Sequence, residues 1–201
     1  MAEIESTNYE KFQTGNPVVT RMFDRFYATL SSLVESLHPD SVLDAGCGEG
    51  ETVARLADSL PQRVAGVDVR EDCVAFTRRR FPDMDVSRQS VYELSFDDDS
   101  FDLVLCLEVL EHLDDPEAAL SELARVSRGD VVLSVPHEPW FRLGSLVRGK
   151  YLAGFGNHPE HVQRWNRRTF EEFLGPRVEL VSLETAFPWL MAHCRPRRAP
   201  G

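Results

Sequence analysis

Short apolar runs alternate with stretches of helical periodicity along most of the chain. The apolar runs include SVLDAG at 41–46, RVAGVDV at 63–69 and FDLVLCLEV at 101–109. The stretches between them, such as ETVARLADSL and PEAALSELARV, carry apolar residues at the spacing of amphipathic helices. Strands that are apolar on both faces and are each followed by a helix are typical of a parallel sheet covered on both sides. The pattern therefore predicts a doubly wound α/β domain.

The two ends of the chain add elements to this core. Asn16 followed by Pro17 is a helix start signal, and apolar residues at helical spacing predict a long amphipathic helix from there to about His38. Near the other end, the runs VELVSL at 178–183 and PWLMAHC at 188–194 are too close together for a helical crossover. We expect them to form an antiparallel hairpin that completes one edge of the sheet.

Composition excludes several function classes. An apolar fraction of 42% over 201 residues is enough for a core, which excludes general disorder, and a net charge of −11 disfavours nucleic acid as a partner. We find no apolar run long enough to span a bilayer and no signal-peptide profile at the start. The four cysteines form no CxxC pair, which favours a reducing, cytoplasmic setting. Oligomeric state is left open.

The first predicted strand ends in a glycine-rich loop, VLDAGCGEG at 42–50. Its three glycines, Gly46, Gly48 and Gly50, allow a sharp turn and close approach of the backbone to a ligand. We expect a helix dipole and nearby amides to hold the charge of Asp44, at the end of that strand. Asp68 ends the second strand, 22 residues after Gly46, where a carboxylate can accept both hydroxyls of a ribose. Together these features predict a nucleoside-type ligand at the carboxyl edge of the sheet.

Glu51 distinguishes between two kinds of nucleoside. A dinucleotide-binding loop has glycine at this position, and we expect the acid here to point where a pyrophosphate would need neutral amides. A nicotinamide-dependent oxidoreductase on the same sheet is the alternative that this residue disfavours.

Two blocks resemble one enzyme family. The loop at 42–50 resembles motif I of the class I S-adenosylmethionine-dependent methyltransferases, an acid and a small residue before Gly-x-Gly-x-Gly. The block SFDDDSFDLVLCLEVLEHLDDPEAALSELARV at 95–126 is similar to the fourth-strand region of the type 11 methyltransferases. The resemblance covers about residues 40–135. It implies a Rossmann-like, mostly parallel seven-stranded sheet and S-adenosyl-L-methionine as cofactor.

The resemblance also implies roles for single residues. Around the methionine part of the cofactor it implies Asp44, Gly46, Cys47, Gly48 and Gly50, and around the ribose Asp68 and Val69. Leu107, just past the fourth strand, would offer its carbonyl to the ammonium group, with Glu108 and His112 nearby. On the adenine side it implies Ser90 and Val91, where this chain departs from the family because a hydroxyl replaces the usual carboxylate.

Residues 136–168 depart from the strand and helix rhythm and combine basic with aromatic side chains. We interpret them as an acceptor-side insert or lid for an anionic or aromatic molecule, with a solvated loop as the equally weighted alternative. His137, directly after the fifth strand, is the candidate general base. A metal site formed by His137, His158 and His161 is not favoured. The candidate substrate-binding residues are Trp140, Tyr151, His158, His161 and Trp165.

These inferences describe a single methyltransferase domain over residues 1–201. Its parts are an N-terminal cap and helix at 1–38, a cofactor-binding core at 40–135, the insert at 136–168, and the last helix and closing strands at 169–195. The predicted reaction is methyl transfer to a small or medium-sized organic acceptor. An oxidoreductase and a non-catalytic nucleoside-binding module remain the alternatives.

Overall fold

The computed structural model describes residues 16–138 and 162–198. The predictions that fall on residues 1–15 and 139–161 lie outside this part of the chain, among them those for Trp140, Tyr151, His158 and His161. The helices are α1 (Pro17–Leu37), α2 (Glu51–Leu56), α3 (Glu71–Arg80), α4 (Pro116–Val126) and α5 (Arg167–Leu174), with a 3-10 helix at Leu110–His112. The strands are β1 (Ser41–Ala45), β2 (Arg63–Asp68), β3 (Asp85–Arg88), β4 (Phe101–Leu107), β5 (Ser127–Pro136), β6 (Val178–Ala186) and β7 (Trp189–Pro196).

The strands form one seven-stranded sheet in the order β3-β2-β1-β4-β5-β7-β6. Strands β1 to β5 are parallel to one another, while β7 pairs antiparallel with both β5 and β6. This confirms the doubly wound α/β sheet and the antiparallel hairpin at its edge. The strand order reverses between β1 and β4, so a crevice forms at their carboxyl ends, where open α/β sheets bind ligands.

Alternate residues of the central strands pack into two cores on opposite faces of the sheet. Val42 and Leu103 face α1, where they meet Leu30 and Val34, all fully buried. The next residue in each of these strands faces α4 and α5 on the other side. This two-sided burial explains why the strands are apolar throughout. In the described ranges, no helix is long and apolar enough to cross a membrane.

The start of α1 confirms the predicted cap, and two other boundaries differ from prediction. The side chain of Asn16 accepts the Val18 N–H at 2.9 Å. The helix predicted over 51–60 ends at Leu56, and the following turn is tied to α1 because Ser59 Oγ donates to Glu35 Oε1 at 2.7 Å. The strand predicted to reach residue 109 ends at Leu107, since Glu108 has a φ of 58°.

Arg125 holds the segment between β3 and β4 against α4. Its guanidinium donates to the carbonyl oxygens of Leu94 (3.0 Å) and Phe96 (2.9 Å), and to Asp98 Oδ1 at 2.7 Å. Glu122 accepts two further bonds from it and one from the Leu94 N–H. The arginine thereby fixes the chain that follows the adenine-side residues predicted from sequence.

We expect Arg125→Met to lower the free energy of unfolding by about 1–2 kcal/mol, because it keeps the apolar stem and removes charge-assisted hydrogen bonds at a site that is one-third exposed. Urea denaturation measures the change. Arg168→Met is the matched control, since Arg168 is exposed and bonds only Glu172 among the contacts described here. Equal stability of the two variants would contradict the role given to Arg125.

Candidate functional site

The chain turns sharply as it leaves β1. The N–H groups of Gly46 and Cys47 both donate to the carbonyl of Val67 in β2, at 2.8 and 2.9 Å. Gly46, Gly48 and Gly50 have φ values of 89°, 51° and 74°, in the left-handed region that side chains rarely adopt. The predicted need for glycine at these three positions is therefore explained by the backbone.

The three glycines differ in what surrounds them. A Cβ on Gly46 would lie 2.3 Å from Val109 Cγ2, and one on Gly50 would lie 2.7 Å from the Phe81 ring. A Cβ on Gly48 would meet no atom within 4 Å. The outer two glycines are packed against protein, and the middle one borders open space at the carboxyl edge of the sheet.

Asp68 lies beside this open space, at the end of β2 as predicted. Its Oδ2 accepts the Gly48 N–H at 3.0 Å, and its Oδ1 accepts the Arg70 N–H at 2.9 Å. The Gln89 N–H donates to the Asp68 carbonyl at 3.1 Å, which brings the chain after β3 to the same place. Two backbone amides thus orient the carboxylate toward the glycine loop.

Asp44 is the buried acid of the site, with 2% of its surface exposed. Its Oδ2 has no hydrogen-bond partner in the part of the chain described here. The expectation that amides hold its charge is therefore wrong for this oxygen. Burial, together with the negative charge of Asp68, raises the pKa of Asp44 to about 7. The carboxyl group is set to take a cationic or hydrogen-bonding partner.

Glu51, at the start of α2, is engaged in ion pairs. Its carboxylate binds Arg55 Nε at 2.8 Å and Arg80 Nη1 at 3.4 Å. The carboxylate is therefore held by one ion pair within its own helix, α2, and by a second to the end of α3.

The carboxyl end of β4 contributes a second side of the crevice. Leu107 is the last residue of β4, at the carboxyl edge of the sheet. The Glu108 N–H donates to Ser134 Oγ at 3.1 Å, and Ser134 Oγ donates back to Glu108 Oε1 at 2.9 Å. His112 ends the 3-10 helix, with its Nε2 at 3.8 Å from Glu111 Oε1.

The remaining predicted cofactor residues lie on the β2 and β3 side. Val69 is 62% exposed and follows the last residue of β2. Ser90 and Val91 follow β3, and Ser90 Oγ accepts the Tyr92 N–H at 3.3 Å. The Cys47 side chain packs inward against Val74 and Val86, and burial raises the pKa of its thiol. The Cys47 thiol therefore lies in the core.

His137 follows β5, next to Trp165 on a short parallel bridge. Burial, with the positive charge of Arg167, lowers the pKa of His137 below its usual value. Its Nδ1 is buried and has no partner within the described ranges. Trp165 is 8% exposed and packs against Phe170 and Phe173, as a core residue does.

The chain leaves and re-enters the described structure at this same edge. The Glu138 N–H donates to the Trp165 carbonyl at 2.8 Å, and the Val162 and Gln163 N–H groups donate to the Glu111 carbonyl at 2.8 and 3.0 Å. The residues that flank 139–161 therefore lie at the carboxyl ends of β4 and β5. Among the residues described, no group of three or more His, Cys, Asp or Glu could hold a metal ion.

Sequence reasoning missed several residues that build the site. Besides Ser134 and Val109, these are Thr77, whose Oγ1 donates to the Gly48 carbonyl at 2.7 Å, and Arg80, which donates to the Glu49 carbonyl at 3.1 Å. Each lies at least 26 residues from its partner in the chain, so no local pattern marks it.

Comparison with known proteins agrees with this geometry. The family described as "Methyltransferase domain" matches residues 43–135, which run from β1 into β5 and include the glycine loop and Asp68. A probable S-adenosylmethionine-dependent methyltransferase of Mycolicibacterium smegmatis is 40% identical over 105 residues, 51% of this chain and 40% of its own length. A ubiquinone biosynthesis O-methyltransferase of Alkalilimnicola ehrlichii is 32% identical over 147 residues, 63% of this chain and 58% of its own length.

The chain thus spans about half the length of these curated relatives. Among solved structures, magnesium protoporphyrin IX methyltransferase of Synechocystis PCC 6803, with bound S-adenosylhomocysteine, superposes with a TM-score of 0.68. That match covers 94% of this chain and 95% of the other at 20% identity, which supports the fold. The oxidoreductase alternative is not retained, because the matched family and the curated relatives are methyltransferases. Residues 43–135 of the chain thus match the methyltransferase domain family, and the chain is similar in sequence to S-adenosylmethionine-dependent methyltransferases and in fold to a solved methyltransferase.

Proposed function

We propose that this chain transfers the methyl group of S-adenosylmethionine to a small or medium-sized organic acceptor. The observation that carries the proposal is the open space at Gly48, which lies at the point of strand reversal and is bordered by the Asp68 carboxylate. A ribose needs two hydrogen-bond acceptors at one point, and a carboxylate at this strand end provides them.

The chemistry of the donor set fits the whole cofactor. Asp68 would hold the ribose hydroxyls, and exposed Val69 would cover one face of the adenine, with Ser90 and Val91 near its edge. The methionine arm carries an ammonium group, which matches the Leu107 carbonyl and the buried Asp44 Oδ2, an atom without a partner among the described residues. Glu108 and His112 complete that end, and the Gly46–Gly50 loop supplies backbone contacts.

The protein's part in catalysis is alignment and exclusion of water. The cofactor supplies the methyl group as electrophile and a thioether as leaving group. His137 is the proposed base, because a lowered pKa keeps its imidazole neutral near pH 7 and its Nδ1 lacks a partner in the described structure. It would take the proton that the acceptor atom loses on methylation.

We propose that the acceptor binds at residues 136–168, whose flanks lie at the ends of β4 and β5. The roles of Trp140, Tyr151, His158, His161 and Trp165 in that contact remain predictions. We also propose a reducing, cytoplasmic location, which the four cysteines support because all are buried free thiols.

Asp68→Ala should weaken S-adenosylhomocysteine binding at least about tenfold, since the variant loses charge-assisted bonds to the ribose. Titration calorimetry measures this. Asp85→Ala is the control, because Asp85 is the first residue of β3 and lies at the amino ends of the strands, away from Asp68 at their carboxyl ends. No binding by the unaltered chain would refute the proposed function, while binding without turnover on any acceptor would favour a non-catalytic nucleoside-binding module.

Affinity for S-adenosylhomocysteine should rise with pH through the pKa of Asp44. With that pKa at about 7, the ionised fraction rises about eightfold between pH 6 and pH 7.5, and only the ionised form attracts the ammonium group. The dissociation constant should therefore fall by up to about this factor. Asp44→Asn should remove the pH dependence, and a dependence that persists in this variant would assign it to another group.

A phenol carrying a carboxylate should bind more tightly than a matched phenol carrying an ammonium group, by about three- to tenfold at low salt, because Arg167 lies near His137. Competition for transfer of radiolabelled methyl groups measures the ratio. Arg167→Gln should reduce it, whereas Arg168→Gln, at an exposed position, should not. Equal binding of both phenols would remove the preference for anionic acceptors.

A further inference from the structure

Glu108 has a backbone conformation that its residue type disfavours. Its φ is 58°, in the left-handed region, where a non-glycine residue costs about 1 kcal/mol or more. Two other non-glycine residues of the described chain share this conformation, and each has a local reason. His38 caps the end of α1, and Asp99 is of a residue type that tolerates the left-handed region. Glu108 follows a buried strand directly and has neither reason.

Hydrogen bonds to Ser134 hold Glu108 in place. The Glu108 N–H lies 3.2 Å from the Ser134 carbonyl oxygen and 3.1 Å from its Oγ, and both accept from it. The same hydroxyl donates to Glu108 Oε1 at 2.9 Å. Ser134 is fully buried in β5, so its hydroxyl has little freedom to bond elsewhere. Backbone and side chain of Glu108 are both tied to one residue of the neighbouring strand.

The conformation of Glu108 determines where the next residue, Val109, lies. Because the chain turns at Glu108, Val109 lies over the glycine loop, with its Cγ2 only 2.3 Å from the position that a Cβ on Gly46 would take. The same turn ends β4 at Leu107 and starts the 3-10 helix at Leu110. The conformation of Glu108 thus sets how the β4 end and the glycine loop fit together.

We propose that Ser134 is a positioning residue for cofactor binding. Its hydroxyl holds Glu108 in the left-handed conformation. This conformation keeps Val109 packed against Gly46, and it keeps the Leu107 carbonyl at the edge of the crevice. Ser134 itself is not assigned a contact with the cofactor. The inference rests on the proposed function, because the cofactor is the ligand that the arrangement would serve.

Ser134→Ala tests this directly by calorimetry with S-adenosylhomocysteine. We expect affinity to fall about tenfold, because the variant loses both hydrogen bonds that the Ser134 hydroxyl makes to Glu108. The matched control is Ser127→Ala in the same strand. Ser127 is equally buried and its hydroxyl donates to the Asp130 carbonyl at 2.9 Å, but it lies at the opposite end of β5. That variant should bind as the unaltered chain does.

A second substitution separates positioning from general loss of structure. Glu108→Gly makes the left-handed conformation available without help. In a Glu108→Gly background, Ser134→Ala should change affinity by less than about threefold, since the backbone no longer needs the hydroxyl. This comparison also covers the case in which Ser134→Ala alone does not fold. Equal effects of Ser134→Ala in both backgrounds would overturn the inference.

A crystal structure of Ser134→Ala separates this inference from the proposed function. We expect φ of residue 108 to leave the left-handed region and Val109 to move away from Gly46. An unchanged Glu108 and Val109 would overturn the positioning role, whether or not the cofactor binds. Failure of the unaltered chain to bind S-adenosylhomocysteine, with the expected movement in the variant, would overturn the proposed function alone.

Discussion

The site depends on one turn, in which two successive backbone amides, those of Gly46 and Cys47, share the carbonyl of Val67. The turn requires left-handed backbone, so glycine is needed where the chain leaves β1. Once made, it places the Gly48 N–H within 3.0 Å of Asp68 and leaves open space beside that glycine. The loop, the strand-end acid and the crevice are therefore consequences of one local conformation that the sheet supports from β2.

A buried carboxyl group lies beneath this loop. Asp44 is in the middle of a parallel sheet, where desolvation disfavours its charge, and its Oδ2 lacks a partner in the described chain. A fold retains such a group at a cost in stability, which a bound cation offsets. Protonation of Asp44 or a bound cation would relieve this cost, and the amino-acid arm of the proposed cofactor carries a positively charged group.

Local patterns predicted most of the fold and the place of the glycine loop and Asp68 at the carboxyl ends of the strands. Strand and helix periodicity located every element of the sheet, and the loop glycines with Asp68 marked the cofactor side, because both signals lie within short stretches. The bonds of Ser134 to Glu108 and the packing of Val109 on Gly46 were not predictable, since they join residues of different strands. The ion pair of Glu51 with Arg80 was not predictable for the same reason, since Arg80 is on another helix.

The central claim is that the crevice at the β1 and β4 ends binds adenosine with an amino-acid arm. A crystal structure of the chain soaked with S-adenosylhomocysteine tests it most directly. The account predicts the ribose hydroxyls on Asp68, the ammonium group near Asp44 and the Leu107 carbonyl, and the adenine beside Val69. Density for the ligand elsewhere, or an empty crevice at saturating concentration, would contradict it.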